Sequence, residues 1–154
     1  MRRLAAVLVA VVALLVPVVA VTSLSHPTPA EWEMVRWVNG ERAWAGLPPL
    51  LADGPLTGQA QLHAARMAAT GQFQHSPWEE RNWWLLQGWT SIGENIAVGP
   101  SGTTRELFAL HQALVASPPH LANILGHYKG MGIATARGTD GRTYVTQVFG
   151  DCVC

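Results

Sequence analysis

The chain has 154 residues, of which 49% are apolar and only 13% are charged. This length allows one domain of ordinary size, and the composition is typical of a packed globule rather than a disordered chain. Acidic and basic residues balance at 10 each. Because a phosphate backbone needs a basic face, we expect no nucleic-acid partner.

The N-terminus has the three parts of a secretory signal. Two arginines precede an uncharged, apolar run over residues 4–21, and this run contains small residues near its end. We therefore predict a signal peptide over residues 1–23, cleaved after Ala20 or Ser23, and a linker over residues 24–30. The alternative is a retained membrane anchor, because the run just reaches the length that crosses a bilayer. We expect membrane contact only through an uncleaved N-terminus.

Apolar residues at helical spacing predict four helices. They cover residues 31–45, residues 55–69 before a glycine at 71, residues 104–116 and a short stretch over 118–125. The last helix follows a break at Ser117 and has proline in its first turn, where proline is favoured. We expect the Ser117 side chain to cap this helix, and Thr103 or Thr104 to cap the one before it.

Strand patterns are concentrated near the C-terminus. Residues 131–137 and 143–149 flank a Gly-Thr-Asp-Gly turn, which predicts an antiparallel hairpin. Residues 96–98 are a third candidate strand. Residues 72–93 have no sustained period, which indicates a long irregular loop of the kind that often carries function. Helices and strands segregate, so we predict an α+β domain over residues 31–150.

Both cysteines lie in the predicted C-terminal tail, residues 151–154. In an extended chain the Cα atoms of Cys152 and Cys154 are roughly 6.6 Å apart, at about 3.3 Å per residue. This is the upper edge of disulfide geometry, so an internal bridge would be strained. We expect two terminal thiols, or a bond to another chain.

The sequence has no HExxH, GxSxG, phosphate-loop or GxGxxG signature. Instead, three ionisable groups each stand beside a turn, where a rigid scaffold can direct them into a cleft: His75, Glu94 and His120. Two imidazoles and a carboxylate form a ligand set that suits zinc. The alternative is that the histidines are ordinary solvated loop residues.

The segments that carry these groups read Phe-Gln-His-Ser at 73–76, Gly-Glu-Asn-Ile-Ala at 93–97 and Ser-Pro-Pro-His-Leu-Ala-Asn-Ile-Leu at 117–125. With Val-Asn-Gly-Glu-Arg at 38–42 before them, they occur in the order of an SCP-type domain. Over nearly the whole predicted domain, the chain resembles the CAP superfamily of cysteine-rich secretory proteins, antigen 5 and plant pathogenesis-related proteins. The pattern is most similar to its short bacterial secreted members.

The resemblance implies a three-layer α-β-α sandwich, with a small antiparallel sheet between helices and a cleft that contains two histidines and acidic partners. Carried over by position, His75 and His120 are the candidate metal ligands and Glu94 is the first acid, with Asn95 beside it in the cleft. Many eukaryotic relatives have a second glutamate where this chain has Ser117, and serine is usual there in the bacterial form. A nucleophilic Ser117–His120 pair is the weaker alternative to a capping serine.

We predict structural roles for most other polar residues. His63, in the second helix, should be a packed or hydrogen-bonded residue rather than a ligand. Asn39 and Arg42 should tie the first helix to its neighbours, and His111 belongs to no motif. Four tryptophans in the irregular loop either pin it to the domain or form an exposed platform for a sugar, lipid or protein. They are Trp78, Trp83, Trp84 and Trp89.

These observations favour a secreted, non-enzymatic binding module for a lipid, a glycan or a protein, with no required cofactor. The alternative is a zinc-dependent hydrolase or protease. In that case His75 and His120 would bind zinc, and Glu94 would be a third ligand or the general base for a bound water. A third hypothesis is an envelope or host-interaction protein whose outer faces bind partners and whose cleft has no role.

Overall fold

The computed structural model describes residues 26–77, 79 and 88–152. The predicted signal peptide, the side chains of both cysteines, and Trp78, Trp83 and Trp84 lie outside the described residues. Within the described part of the chain, no helix is both long and apolar enough to span a membrane.

The first helix, α1, spans Pro29–Trp44 and so begins two residues before its predicted start. Thr28 explains the difference. Its hydroxyl accepts a hydrogen bond from the Glu31 N–H (3.4 Å), and the Glu31 carboxylate accepts one from the Thr28 N–H (2.7 Å). This reciprocal pair is a capping box, which stabilises the first turn. The other Glu31 oxygen accepts from the N–H of Thr135 (2.7 Å), so the start of α1 is also tied to the sheet.

The second helix, α2, spans Gly54–Thr70 and ends at Gly71, which has a left-handed conformation (φ 69°). Asp53 caps its start, because Oδ1 accepts a hydrogen bond from the N–H of Leu56 (2.9 Å). The prediction of this helix is confirmed. Its buried face includes a stripe of small alanines, which lets the helix approach the sheet closely.

The third and fourth predicted helices are also confirmed. Helix α3 spans Thr104–Val115, and the hydroxyl of Thr103 caps it by accepting from the Glu106 N–H (3.4 Å). Helix α4 spans Pro118–Ile124, with its two prolines in the first turn. The chain turns between α3 and α4 at Ser117.

Four strands form one sheet in the order β1-β3-β4-β2. Strands β3 (Gly130–Arg137) and β4 (Thr143–Cys152) form the predicted antiparallel hairpin, and β2 (Trp89–Gly99) pairs antiparallel with the far side of β4. Strand β1, Leu51–Ala52, pairs in parallel with β3 and was not predicted. Two residues are too few to show a hydrophobic period.

Strand β2 is much longer than the predicted Ile96–Val98. It pairs with β4 from Trp89 to Gly99, so the irregular loop is correspondingly shorter than residues 72–93. The pattern hides the first part of the strand because Glu94 and Asn95 place polar side chains where a buried strand normally has apolar ones. Hydrogen bonds within the candidate site, described below, account for the burial of both side chains.

Helices cover both faces of the sheet. Successive residues of β4 point to opposite faces. Tyr144 and Val148 pack on the side of α2, whereas Val145 and Phe149 pack in the larger core formed with α1, α3 and α4. The fold is therefore the predicted three-layer α-β-α sandwich. Strand β2 lies at an edge of the sheet, so side chains from its two faces approach the same rim.

Candidate functional site

Glu94 lies on β2 and points to the α2 side of the sheet, where it is only 8% exposed. Both carboxylate oxygens accept hydrogen bonds from the segment that follows α2. Oε1 accepts from His75 Nδ1–H (2.7 Å) and from the Ser76 N–H (2.9 Å), and Oε2 accepts from the Ser76 hydroxyl. A buried carboxylate needs such donors to offset its lost hydration. The acid therefore fixes the position of residues 75 and 76.

His75 is the exposed member of this group, with about half of its side chain (48%) accessible to solvent. Because Nδ1 donates to Glu94, a neutral His75 ring has its lone pair on Nε2. No described residue forms a hydrogen bond with that nitrogen. Glu94 thus sets both the orientation and the tautomer of His75, as carboxylates do for histidines that bind metals.

His63 lies behind the same carboxylate. It is almost fully buried on α2, and its Nε2–H donates to the carbonyl oxygen of Gln74 (3.0 Å). That nitrogen is also 3.9 Å from Glu94 Oε2. The predicted structural role of His63 is confirmed, and the residue supports the loop that carries His75.

His120 lies in the first turn of α4, on the other side of β2. Its Nδ1 shares a hydrogen bond with the Ser117 hydroxyl oxygen (2.8 Å). The prediction that the Ser117 side chain caps α4 is wrong, because that side chain makes no capping hydrogen bond. Proline at the start of the helix has no N–H to donate, which reduces the need for a cap and leaves the serine available to the imidazole three residues later.

An amide network joins α4 to the strand that carries Glu94. Asn95 is fully buried, and its Nδ2 donates to the backbone carbonyl of His120 and to the Gln147 side chain, both at 3.1 Å. Asn123 donates to Asn95 Oδ1 (2.9 Å) and to the backbone carbonyl of Glu94 (3.1 Å). Asn95 therefore positions the turn of His120 and does not itself reach solvent.

A glycine in β2 allows this close approach. A Cβ atom at Gly93 would lie 2.8 Å from Asn123 Oδ1, too close for a carbon atom, and would also overlap the hydroxyl of Tyr128. A larger residue at 93 would force the Asn123 and Tyr128 side chains to move and would disturb the amide network. In the Gly-Glu-Asn sequence, the glycine thus leaves room for α4, the glutamate anchors His75 and the asparagine anchors the turn of His120.

The five predicted residues form two hydrogen-bonded pairs, one on each side of the edge strand, together with Asn95. His75 contacts Glu94, and His120 contacts Ser117, while Asn95 links the second pair to the strand of the first. In the described residues, neither His75 nor Glu94 is hydrogen-bonded to the His120 ring. The same residues contain no group of three or more His, Cys, Asp or Glu side chains arranged to hold a metal ion.

Three contributors were not assigned a role from the sequence: Ser76, Asn123 and Gln147. Ser76 follows His75 directly, but nothing in its local pattern indicates that both its N–H and its hydroxyl turn inward. Asn123 stands three residues after His120, on the same face of α4, and this spacing could have suggested it. Gln147 is the partner of Asn95 in the β2–β4 register, which requires the pairing of the strands to be known.

Arg42 and Asn39 connect α1 to the rest of the domain, as predicted. The buried Arg42 guanidinium donates to three carbonyl oxygens: Pro48 (2.9 Å), Ile124 (2.9 Å) and Gly126 (2.8 Å). Burial lowers the pKa of Arg42 below its usual value. Since two of these carbonyls lie at the end of α4 and just after it, Arg42 fixes the far end of the helix that carries His120.

Comparison with known proteins agrees with this architecture. The sequence profile of the cysteine-rich secretory protein family (CAP) matches residues 35–149, well over half of the chain. None of the curated protein sequences matches the chain significantly.

Three solved structures share the fold. An outer surface protein from Borrelia burgdorferi has a TM-score of 0.69 at 16% identity, covering 83% of this chain and 97% of its own. A cysteine-rich secretory protein from Staphylococcus aureus has a TM-score of 0.62 at 18% identity, covering 79% of this chain but only 38% of its own. A venom allergen-like protein from Schistosoma mansoni has a TM-score of 0.59 at 11% identity, covering 83% of this chain and 92% of its own. The profile match over residues 35–149, on a fold that these structures share, shows that the chain belongs to the cysteine-rich secretory protein (CAP) family.

Proposed function

We propose that this CAP domain is an extracellular, non-enzymatic binding module whose ligand is a lipid, a glycan or a protein. The ligand would be recognised at the cleft formed by His75, Glu94, His120 and Ser117. Extracellular placement rests on the predicted signal peptide, and two of the solved relatives are named as an outer surface protein and a secretory protein.

This proposal rests on the hydrogen bonds that the Glu94 carboxylate already accepts within the protein. Both oxygens already accept hydrogen bonds, from His75 and from the two donors of Ser76, and the side chain is buried. A general base must accept a proton from a substrate or a water within hydrogen-bond reach. Three donors occupy three of its roughly four acceptor positions, and the oxygen with a free position, Oε2, is buried beside His63. Its chemistry therefore suits positioning better than proton transfer.

The two histidines fit a divalent metal such as zinc in part. Each ring has Nδ1 engaged within the protein, by Glu94 for His75 and by Ser117 for His120, and this is the usual arrangement for imidazoles that bind metal through Nε2. When bound, zinc would supply a Lewis-acidic point for an oxygen atom of the ligand. Two imidazoles leave the remaining positions to water or to the ligand itself.

The Ser117–His120 contact is the observation that favours a hydrolase. At 2.8 Å, the hydroxyl and the imidazole are within the distance required of a nucleophile and its base. A working base also needs a third group to orient its other nitrogen. The only acid in the cleft segments, Glu94, is engaged with His75 instead. Binding without catalysis is therefore the function that this geometry supports best.

The test compares binding and hydrolysis in the same variants. We expect ligand-observed NMR with a panel of phospholipids, sterols, oligosaccharides and envelope proteins to detect at least one binder. Its signal should be lost in the His75→Ala/His120→Ala double variant and kept in His127→Ala, which changes an exposed histidine outside the cleft. Ester and peptide substrates should be left intact by all three proteins. Hydrolysis by the wild type that disappears in the double variant would refute the non-enzymatic proposal.

A further inference from the structure

A second concave surface lies between α1 and α3, separate from the cleft. This groove has a volume of about 500 Å³ and contains none of the five predicted cleft residues. Residues at helical spacing on the facing sides of the two helices line it, so its walls belong to two well-formed helices. Gly40 on α1 leaves space along the groove, since a Cβ atom built there meets no atom within 4 Å.

One side of the groove is aromatic. The rings of Trp37 and Phe108 pack edge to face, with centroids 5.1 Å apart, which fixes both in place. Beside them the Trp44 side chain, near the end of α1, is 96% exposed. Such a fully exposed indole on a rigid helix contributes almost nothing to the core. It offers a flat apolar surface of the kind that a ligand can cover.

The polar groups of the groove are all planar. They are the guanidinium of Arg36, the carboxylate of Glu41, the imidazole of His111 and the amide of Gln112. Each can form two hydrogen bonds in one plane, which matches neighbouring hydroxyl groups on a ring. Hydroxyl groups both donate and accept, so donors such as Arg36 and acceptors such as Glu41 can bind them equally well.

His111 is the feature that indicates a ligand. Its side chain is 99% buried, yet no described residue accepts from or donates to its Nδ1. Its Nε2 lies 3.4 Å from Glu41 Oε1, a long contact without hydrogen-bond geometry. Buried polar atoms are nearly always hydrogen-bonded, so an incompletely paired imidazole in the wall of a groove calls for a further partner.

The charges of the groove cancel. The lining has one positively charged side chain, Arg36, and one negatively charged side chain, Glu41. The lining therefore has no net charge to select an anion or a cation, and an acyl chain would leave its planar polar groups without partners. From the exposed indole, the planar polar groups and the unpaired imidazole together, we propose that this groove binds a neutral pyranose ring of an oligosaccharide. The C–H face of the sugar would stack on Trp44, and its hydroxyl groups would meet Glu41 and Gln112. They would reach the buried His111 nitrogens only after Glu41 turns aside.

The test is an NMR titration of the protein, expressed from its full-length gene and purified after export. The titrants are maltotetraose, cellotetraose and tetra-N-acetylchitotetraose. Each sugar is raised to about 20 mM, well above a Kd of about 1 mM. With at least one sugar, we expect saturable shifts of the Trp44 indole N–H and the Gln112 amide. Trp44→Ala should weaken binding at least tenfold. Trp32→Ala is the matched control, because Trp32 is a partly exposed indole on the same helix outside the groove, and it should bind like the wild type.

Three outcomes would overturn the proposal. The first is the absence of saturable shifts with all three sugars, and the second is unchanged affinity in the folded Trp44→Ala variant. The third is a response of the groove to a dodecyl detergent below its micellar concentration but to no sugar, which would indicate an acyl-chain site instead. The His75→Ala/His120→Ala variant should retain sugar binding in the groove. Failure at the cleft and failure at the groove can therefore be told apart.

Discussion

Glu94 holds two neighbours in place through its two carboxylate oxygens. His75 and Ser76 supply three donors to a side chain that is almost completely buried. The sequence pointed to His75 and Glu94 as chemistry-bearing residues, but it could not indicate that one exists largely to orient the other. That relation depends on the loop after α2 folding back against β2, and the pattern of residues 72–77 has no period from which to predict it.

Replacing Glu94 with glutamine should separate these roles. The amide can accept through one oxygen only, so an NH₂ group replaces the oxygen opposite the Ser76 hydroxyl. The negative charge that strengthens all three hydrogen bonds is lost as well. We expect Glu94→Gln to lower the free energy of unfolding by about 2–3 kcal/mol, measured by urea denaturation. Ser76→Ala is the control, since it removes one donor and keeps the backbone N–H, and it should cost about 1 kcal/mol. Equal, negligible losses in both variants would mean that the carboxylate does not anchor the loop.

Close contact between α2 and β3 organises the fold at the level of elements. A Cβ atom added to Gly132 on β3 would overlap the backbone of Leu56 and Thr57 on α2. Backbone atoms cannot move aside as the end of a side chain can. The small residues of α2, including Ala60 and Ala64, face the same interface and also permit the short separation. The alanines stand at helical spacing in the sequence, but no local pattern singles out the glycine opposite them.

Gly132→Ala should therefore be severely destabilising, whereas Gly40→Ala should not. We expect Gly132→Ala to lower the free energy of unfolding by about 3 kcal/mol or more, because relief of the overlap would move α2 off the sheet. Gly40 lies within α1 beside open space, so alanine there should add about 1 kcal/mol through its higher helix propensity. Thermal and urea unfolding of the two variants measure both effects. A Gly132→Ala protein as stable as the wild type would be incompatible with this helix-on-sheet packing.

The helices were easier to predict than the strands. Each described helix carries a local signal, such as the capping box at Thr28, Asp53 before α2 or the proline pair of α4. Strands depend on partners that are distant in sequence. The first half of β2 is polar because it carries the site, and β1 exists only because Leu51 and Asp53 donate to the carbonyl oxygens of Lys129 and Met131. No local pattern contains that information.

Over the whole molecule, three layers bury titratable groups far from the cleft. His111 on α3 is enclosed between its own helix and α1, with Glu41 as its charged neighbour. Burial lowers the pKa of His111 below its ordinary value of 6.5, and interaction with Glu41 opposes this only in part. The folded state therefore favours the neutral ring, whereas the unfolded chain protonates it near pH 6.5.

This difference predicts a loss of stability in mild acid. The contribution of the neutral His111 ring to the free energy of unfolding is fully present above pH 6.5. It is lost as the pH falls below that value, because the unfolded state then binds the proton more readily. The free energy of unfolding should fall between about pH 7.5 and about pH 5.5, and His111→Gln should reduce the slope. The exposed His127→Gln is the control and should keep the slope of the wild type. Identical slopes in all three proteins would exclude His111 as the source.

The meeting of the three site segments at β2 likewise depends on the fold of the whole molecule. The sequence identified three segments and their ionisable residues through resemblance to a family, and the fold brings those segments to the two sides of β2. The links between them, Asn95 to the carbonyl of His120 and Asn123 to the carbonyl of Glu94, involve backbone atoms. Residue types alone do not reveal bonds to the backbone, so the sequence could indicate the members of the site but not what holds them together.

Zinc titration calorimetry at neutral pH tests most directly whether His75 and His120 share one cleft. The apo protein, with its thiols blocked, is compared with the His75→Ala/His120→Ala and His127→Ala variants. We predict one zinc ion per chain with a Kd of about 1 μM in the wild type and in His127→Ala, and no binding in the double variant. If the wild type binds no zinc, or if the double variant binds it equally well, the claim that the two imidazoles together hold one zinc ion is contradicted.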